Sequence, residues 1–556
     1  MIIRLFQKRI IVTFSLLIVL LSTTATPLFA QVWQWSTLFK NEKPNATEAR
    51  AFLWIPENCK KVKGVVVAQN NMEELSILEH GNFRKQLAKL GFAEIWVNPP
   101  FNHVFNFNEG AFETFNNIIN SLANVSGYDE LKVAPVVPIG HSAAASWPYY
   151  FAVLKPQRTL CAISVSGQWP YFRDKNFAPD IWDEKTLDYV PCLETMGEYE
   201  AAATWSTEGL KERSEQKYLP LSMLACPAEG HFATTDKKVD YIALYIKKAA
   251  QYRLSGKTNA DGYPDLNLIN PSYTGWLMEK WIPNKAPTTI AAPVAKYKGD
   301  KNEAFWFFDE EMAKATEVYQ AEYRNKKAEL LAYLQEGQVV KQRNTHLQVS
   351  LKFIPEADGI SFKLKGGFLD TVPGESPRPK MWTGIAVDSA IGHASGNVPV
   401  SIDKIIGPFK KINDSTFQVS FDKTITSKAS NYTLTFTATH PGDTAYKPAV
   451  QQAEMKIPAS NNDGAEQSIS FEPITNQQIS VKEMELKATS SANLRVHFYV
   501  LDGPAEIVGN KLVFTAIPPQ SKFPVRVTVV AWQYGSSVEP KVKTAKSIAQ
   551  TFYIDR

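Results

Sequence analysis

Ser142 sits in Gly140-His141-Ser142-Ala143-Ala144, between an apolar run, Val133–Ile139, and a stretch with helical spacing, Ala143–Val153. This is G-x-S-x-small at a strand-to-helix turn. A sharp elbow of that kind holds its serine in a strained backbone conformation. A bulky residue two positions before or after would collide with the adjoining strand or helix. The hydroxyl stands clear of the sheet at a helix N-terminus, and the amide of Ala143 points at an oxyanion developing on a bound carbonyl. The chemistry open to such a serine is nucleophilic attack on an acyl carbon.

A serine nucleophile needs a base and a group to orient it. The chain has 8 His. His80 and His103 precede Ser142, His141 lies inside the elbow, and His231 is the one that follows within the first half. Two apolar runs lead into acidic loops after Ser142. Cys192–Met196 enters Gly197-Glu198-Tyr199-Glu200, and Leu221–Ala225 enters Pro227-Ala228-Glu229-Gly230-His231. Glu200 and Glu198 both qualify as the orienting acid, with Glu200 preferred. No HxH, HExxH or CxxC pattern occurs, so neither a metal nor another cofactor is expected.

The elements that must position these groups are legible from about Arg50 to Tyr252. Six short apolar runs (Gly64–Ala68, Ala93–Val97, Val133–Ile139, Cys161–Ser166, Cys192–Met196, Leu221–Ala225) alternate with the helical stretches Phe83–Leu90, Phe112–Leu122, Ala143–Val153, Glu208–Tyr218 and Val239–Tyr252. Strand–helix–strand units of roughly 30 residues mark an α/β fold. Several runs are apolar on both faces, as a parallel sheet covered by helices requires. Pro135 and Pro138 fall in the strand before the elbow, where a central strand should lack proline, so that strand is expected to be distorted.

At these residues the chain resembles the α/β-hydrolase superfamily, whose triad runs in the order Ser, acid, His. The resemblance implies a doubly wound sheet with Ser142 as nucleophile, His231 as base and then acid, and Glu200 orienting His231. It implies an oxyanion hole made by the amide of Ala143 and one from the loop Gln69-Asn70-Asn71-Met72, hence Asn70 or Asn71. The elbow departs from the common pattern in ending on Ala144 rather than glycine, and the acid is Glu rather than Asp. The Gln69–Glu74 loop, the GHSAA elbow and the β modules behind them are similar to secreted carbohydrate esterases, of the pectin methylesterase and acetylesterase type. That implies an exported serine esterase acting on methyl or acetyl esters of a polysaccharide or oligosaccharide. The alternatives are a non-catalytic carbohydrate-binding protein, or a lipase or peptidase of the same fold. Glu73 is a candidate pocket residue. Trp169, Tyr171 and Phe172 are candidates for a sugar-stacking wall, with local packing an equal reading.

The whole chain has 556 residues, 44% hydrophobic and 21% charged, with a net charge of +4. That composition excludes disorder and a polytopic membrane protein, and the weak charge disfavours nucleic acid as a partner. Residues 1–30 read as a signal peptide: Arg4, Lys8 and Arg9 precede an uncharged stretch too short for a comfortable span. After cleavage a periplasmic or secreted monomer, free of the membrane, is expected. Cys59, Cys161, Cys192 and Cys226 can be free thiols or bridges. Residues 31–255 are assigned to the hydrolase domain and 256–327 to a connecting segment, in which Glu303–Lys327 reads as a helix. Period-2 runs predict a β-sandwich over 328–458 and an immunoglobulin-like sandwich over 467–556. The stretch 459–466 is expected to be an exposed hinge, so a chain ending at Pro458 should keep small-ester activity. Trp382, Trp532 and Tyr534 can be sugar platforms, but sandwich cores use such residues routinely.

Overall fold

A computed structural model describes residues 32–40, 48–172, 174, 176–425 and 429–556. The signal peptide expected over 1–30 lies outside the described residues. Among those residues no helix is long and apolar enough to cross a membrane.

Eight strands form the central sheet: β1 Trp35–Leu38, β2 Arg50–Trp54, β3 Gly64–Gln69, β4 Phe92–Asn98, β5 Val136–His141, β6 Ala162–Val165, β7 Cys192–Gly197 and β8 Leu221–Cys226. Their order is β1-β2-β4-β3-β5-β6-β7-β8. β1 and β2 are antiparallel to their neighbours, and the pairs from β4 to β8 are parallel. This is the mixed, doubly wound sheet of the α/β-hydrolase fold. The six predicted strands are β3 to β8. β5 starts later than predicted, at Val136, and its pairing with β6 shifts by one residue across Pro138, between the Val136↔Thr159 bridge and the Ile139↔Ile163 pair. A proline has no N–H for the ladder, and this irregularity accommodates it.

The core of this unit does not end at residue 255. One buried cluster runs from Trp33 to Tyr319. The expected helix Glu303–Lys327 is instead a strand, Ala304–Phe307, followed by a helix, Glu310–Ala321. The strand pairs with Trp276–Glu279, and Ser222 of β8 donates to the Trp306 carbonyl. Phe305, Phe308 and Met312 are buried in the core of the central sheet's unit. All four cysteines are buried free thiols.

The C-terminal half forms two packed β units with their own cores, one around Phe362, Phe417 and Phe436, the other around Val527, Leu512 and Phe552. The stretch 459–466 is exposed from residue 462 onward, as expected of a linker, but it is tied down rather than free. Asn461 donates to the Tyr534 carbonyl, the Ala465 amide to the Lys541 carbonyl, and Asp463 and Glu466 pair with Lys541 and Lys543. Its polar residues signalled a linker, but here their side chains bond to the neighbouring strand connection. Trp532 and Tyr534, from the last unit, belong to the core of the unit before it.

Candidate active site

Gly140 and Ala144 make the elbow possible. A Cβ on Gly140 would lie 2.0 Å from the Ala144 carbonyl oxygen, and Ala144 is fully buried. Ser142 between them has φ +54, a left-handed conformation that a side-chain-bearing residue adopts at a cost of order 1–3 kcal/mol. The chain then makes a short 3₁₀ turn, Ser142–Ala144, before the helix Trp147–Leu154. The amide of Ala143 lies in that first turn, where N–H groups lack an intrahelical partner.

His231 follows β8 and Glu200 follows β7. His231 Nδ1 is 2.7 Å from Glu200 Oε1. Glu198 faces elsewhere: it accepts from the Ala228 amide at 2.8 Å and pairs with Lys447 at 2.6 Å. The His141 side chain ties the elbow to the His231 loop, with Nε2 3.0 Å from the His231 carbonyl. A carbonyl only accepts, so His141 carries its proton on Nε2. Burial lowers His141 to about 4 and also pushes His231 below its ordinary range. Both rings are therefore neutral near pH 7, and His231 is free to accept a proton. Burial raises Glu200 above the usual carboxylate range, against the opposing fields of His346, His141, Lys238 and Arg378.

These two imidazoles make stability pH-dependent. Each is held neutral in the folded state at a pKa below its unfolded value of about 6.5, so the unfolded chain binds more protons as the pH falls. Stability is complete above about pH 6.5 and falls below it, by up to about 1.4 kcal/mol per pH unit for each group. Thermal denaturation between pH 7.5 and 5 should show Tm falling with pH, and His141→Gln should flatten the slope. An equal slope in that variant would remove His141 from the account.

The loop after β3 differs from expectation. The Asn70 amide donates to Val97, and the Asn71 and Met72 amides both donate to Glu74 Oε2. None of these three backbone N–H groups is left for an oxyanion. Glu74 also accepts from the His141 amide at 2.8 Å, and burial raises its carboxyl to about 7. The Asn71 side chain is better placed: Nδ2 donates to the His141 carbonyl, adjacent to Ser142, at 3.0 Å, and keeps a second N–H. Asn70 Nδ2 donates to Asn98.

Three proposed substrate contacts are structural instead. Trp169 is 1% exposed, stacked on Phe305 and bonded to the Trp205 carbonyl. Tyr171 packs edge-on against Trp182, and its hydroxyl accepts from the Leu187 amide. Glu73 is buried and accepts from the Ala233 amide and the Thr234 hydroxyl, just beyond His231. Despite burial, Lys238, His141 and these bonds hold its carboxyl below the ordinary value. The sandwich aromatics are also packed: Trp382 lies against Tyr199, Trp532 between Phe421 and His497, and Tyr534 is buried.

His346, from the first β unit of the C-terminal half, was not singled out by its sequence. Its ring stacks on His231 at 4.1 Å and 21°, and its Nδ1 is 3.6 Å from Glu200 Oε1. It follows a turn far from Ser142 in the chain, and only its contact reveals it. Glu200, His231 and His346 each offer a ligand atom, all within 4.8 Å of one another, so chain spacing missed a trio with the donor chemistry for a metal ion. The same β unit bonds to the His231 loop through Gln452 and the Phe232 carbonyl.

Comparison with known proteins gives no matching family model and no similar curated protein. Among solved structures the chain is similar to FphF, a fluorophosphonate-binding serine hydrolase of Staphylococcus aureus, at 11% identity and TM-score 0.28, over 39% of this chain and 97% of that one. It is also similar to an S-formylglutathione hydrolase from Agrobacterium tumefaciens (11%, TM-score 0.30, 39% and 94%). Est1E from Butyrivibrio proteoclasticus is a third (13%, TM-score 0.27, 38% and 96%).

Proposed function

We propose that the chain is an exported serine esterase that hydrolyses methyl or acetyl esters on a polysaccharide. The observations that carry the esterase reading are the His231–Glu200 pair at 2.7 Å and a left-handed Ser142 whose chain neighbour His141 has its ring 4.7 Å from that of His231. Ser142 Oγ attacks the ester carbon while His231 Nε2 takes its proton, and Glu200 stabilises the imidazolium through Nδ1–H. The Ala143 amide and the second N–H of Asn71 Nδ2 hold the oxyanion. His231 returns the proton to the departing alcohol, leaving an acyl-enzyme. Water, deprotonated by His231, then releases the acid and restores Ser142. The polysaccharide and the export rest on the modular β half and on the basic and apolar start of the chain.

The test is hydrolysis of p-nitrophenyl acetate, followed by methanol or acetate release from pectins and xylans beside long-chain lipid esters. Preference for the lipid esters would overturn the polysaccharide reading. Glu200→Gln should lower kcat by about 10³–10⁴-fold, the scale of losing a triad acid. Glu198→Gln, which loosens Lys447 and the Ala228 amide, should cost less than tenfold. The reverse order would make Glu198 the acid.

His346 acts here as a positioning residue, its ring fixing the plane of His231. An aromatic stack contributes about 0.5–1.5 kcal/mol, so His346→Ala should lower kcat about tenfold with KM little changed. His346→Phe keeps the stack and should restore most of the rate. Equal loss in both variants would show that the imidazole, not the stack, matters.

A further inference from the structure

A cleft of about 1030 Å³ separates the two β units, away from the triad. Lys410 and Arg495 line it from opposite units, and among the described residues neither side chain has an ion-pair or hydrogen-bond partner. Burial and the nearby Arg495 both push Lys410 below its ordinary value. The other lysines on the walls are occupied: Lys404 by Asp422, Lys411 by Asp403 and Lys423 by Glu79. Two unpaired like charges facing each other across a cleft favour an anion between them. Asp358, Glu506 and Glu539 line the same cleft, but among the described residues Arg495 is the one charged group that acts on Lys410, so the positive charge is local to that pair. Gln418, Asn510 and these carboxylates are the donors and acceptors that hydroxyl groups require.

A second cavity, of about 240 Å³, adjoins the loop beside Ser142. Asn70, Asn71 and Met72 line it together with Gly407, Pro408 and Thr424. The large cleft is bounded by the neighbours of those last three, Phe409 and Lys423. The same two segments of the first sandwich therefore border both cavities, and an extended ligand lying over them would reach from the cleft to the Asn71 loop. We propose that the cleft binds an anionic oligosaccharide stretch, held by Lys410 and Arg495, and delivers the remainder of the polymer to Ser142.

The proposal leans on the esterase reading only for the delivery step, and its binding step is measured without turnover. Calorimetry on the full chain carrying Ser142→Ala should show binding of hexagalacturonate or of a sulfated galactan hexamer, and the stronger of the two identifies carboxylate or sulfate as the charge recognised. A neutral galactan hexamer should bind at least tenfold more weakly. Adding Lys410→Ala or Arg495→Ala should weaken the anionic ligand at least tenfold, and raising the salt concentration should do the same. With Ser142 intact, Lys410→Ala and Arg495→Ala should lower kcat/KM on the esterified anionic polymer at least tenfold. The proposal is overturned by no binding of either anionic hexamer at millimolar concentration, by equal binding of the neutral one, or by unchanged affinity in the Lys410→Ala/Arg495→Ala double variant. Absence of p-nitrophenyl acetate hydrolysis in wild type would remove the esterase while leaving the binding result intact.

Discussion

Ser142→Ala is expected to cut the turnover of p-nitrophenyl acetate by a factor on the order of 10⁵ while leaving the fold unchanged. The magnitude follows from removing the group that forms the covalent bond, with the oxyanion donors left to provide residual catalysis. The fold should survive because Ala accepts the site without new bulk, although φ at 142 stays positive, which an alanine tolerates as poorly as a serine does. His231→Ala should cost nearly as much. The double variant should be little worse than either single one, because triad members act as a unit. Losses that multiply would mean that Ser142 and His231 do not act on the same proton. Circular dichroism and Tm of each variant separate lost chemistry from lost structure. A residual rate within tenfold of wild type for Ser142→Ala would end the serine-esterase reading.

Much of the sheet was legible because β3 to β8 are buried on both faces and therefore read as short, mostly apolar runs, interrupted by Glu94 in β4 and by Glu194 and Thr195 in β7. β1 and β2 escaped because they are only 4 and 5 residues long and have no helix between them. The pentapeptide around Ser142 was readable since its small residues answer a steric demand, here the Ala144 carbonyl against Gly140. Glu200 and Glu198 could not be separated by pattern. Their roles diverge only through partners brought in from elsewhere, His231 for one and Lys447 for the other. Buried charge was the least legible feature. Glu73, Glu229 and Lys238 are all buried, with Lys238 raised above its ordinary value, against its own burial, by Glu73, Cys226, Glu229 and Glu200. Charged residues usually lie at the surface, so a sequence gives no sign that these pack around His231. His346 was hidden for a related reason: its role exists only through a contact between two units.

A chain ending at Pro458 is expected to aggregate or to lose small-ester activity, the opposite of what the composition of 459–466 implied. The last unit is bound on two sides. Toward the first sandwich it supplies Trp532 and Tyr534 to a shared core, with Phe421 stacked on Trp532 at 4.7 Å and the Tyr534 hydroxyl bonded to the Pro458 carbonyl at 2.6 Å. Toward the eight-stranded sheet it meets β1. Ser36 donates to Asp502 at 2.8 Å, Arg526 donates to the Ser36 carbonyl at 2.9 Å, and the Gly503 amide donates to Trp33 at 3.1 Å. β1 is the edge strand of the sheet, and uncovered edges invite pairing between chains. Losing Trp532 and Tyr534 from one core resembles two large-to-small core substitutions, each costing about 3–5 kcal/mol. That is comparable to the whole stability of an ordinary domain, about 5–15 kcal/mol. The first β unit carries His346, so its disorder would reach His231 and Glu200, which that ring touches. Size-exclusion chromatography and p-nitrophenyl acetate hydrolysis of the shortened chain measure both effects. Trp532→Ala in the full chain, which leaves the β1 contacts in place, should lower Tm while keeping the protein monodisperse. A shortened chain that is monodisperse and fully active would show that the two contacts hold the last unit in place without supporting the rest.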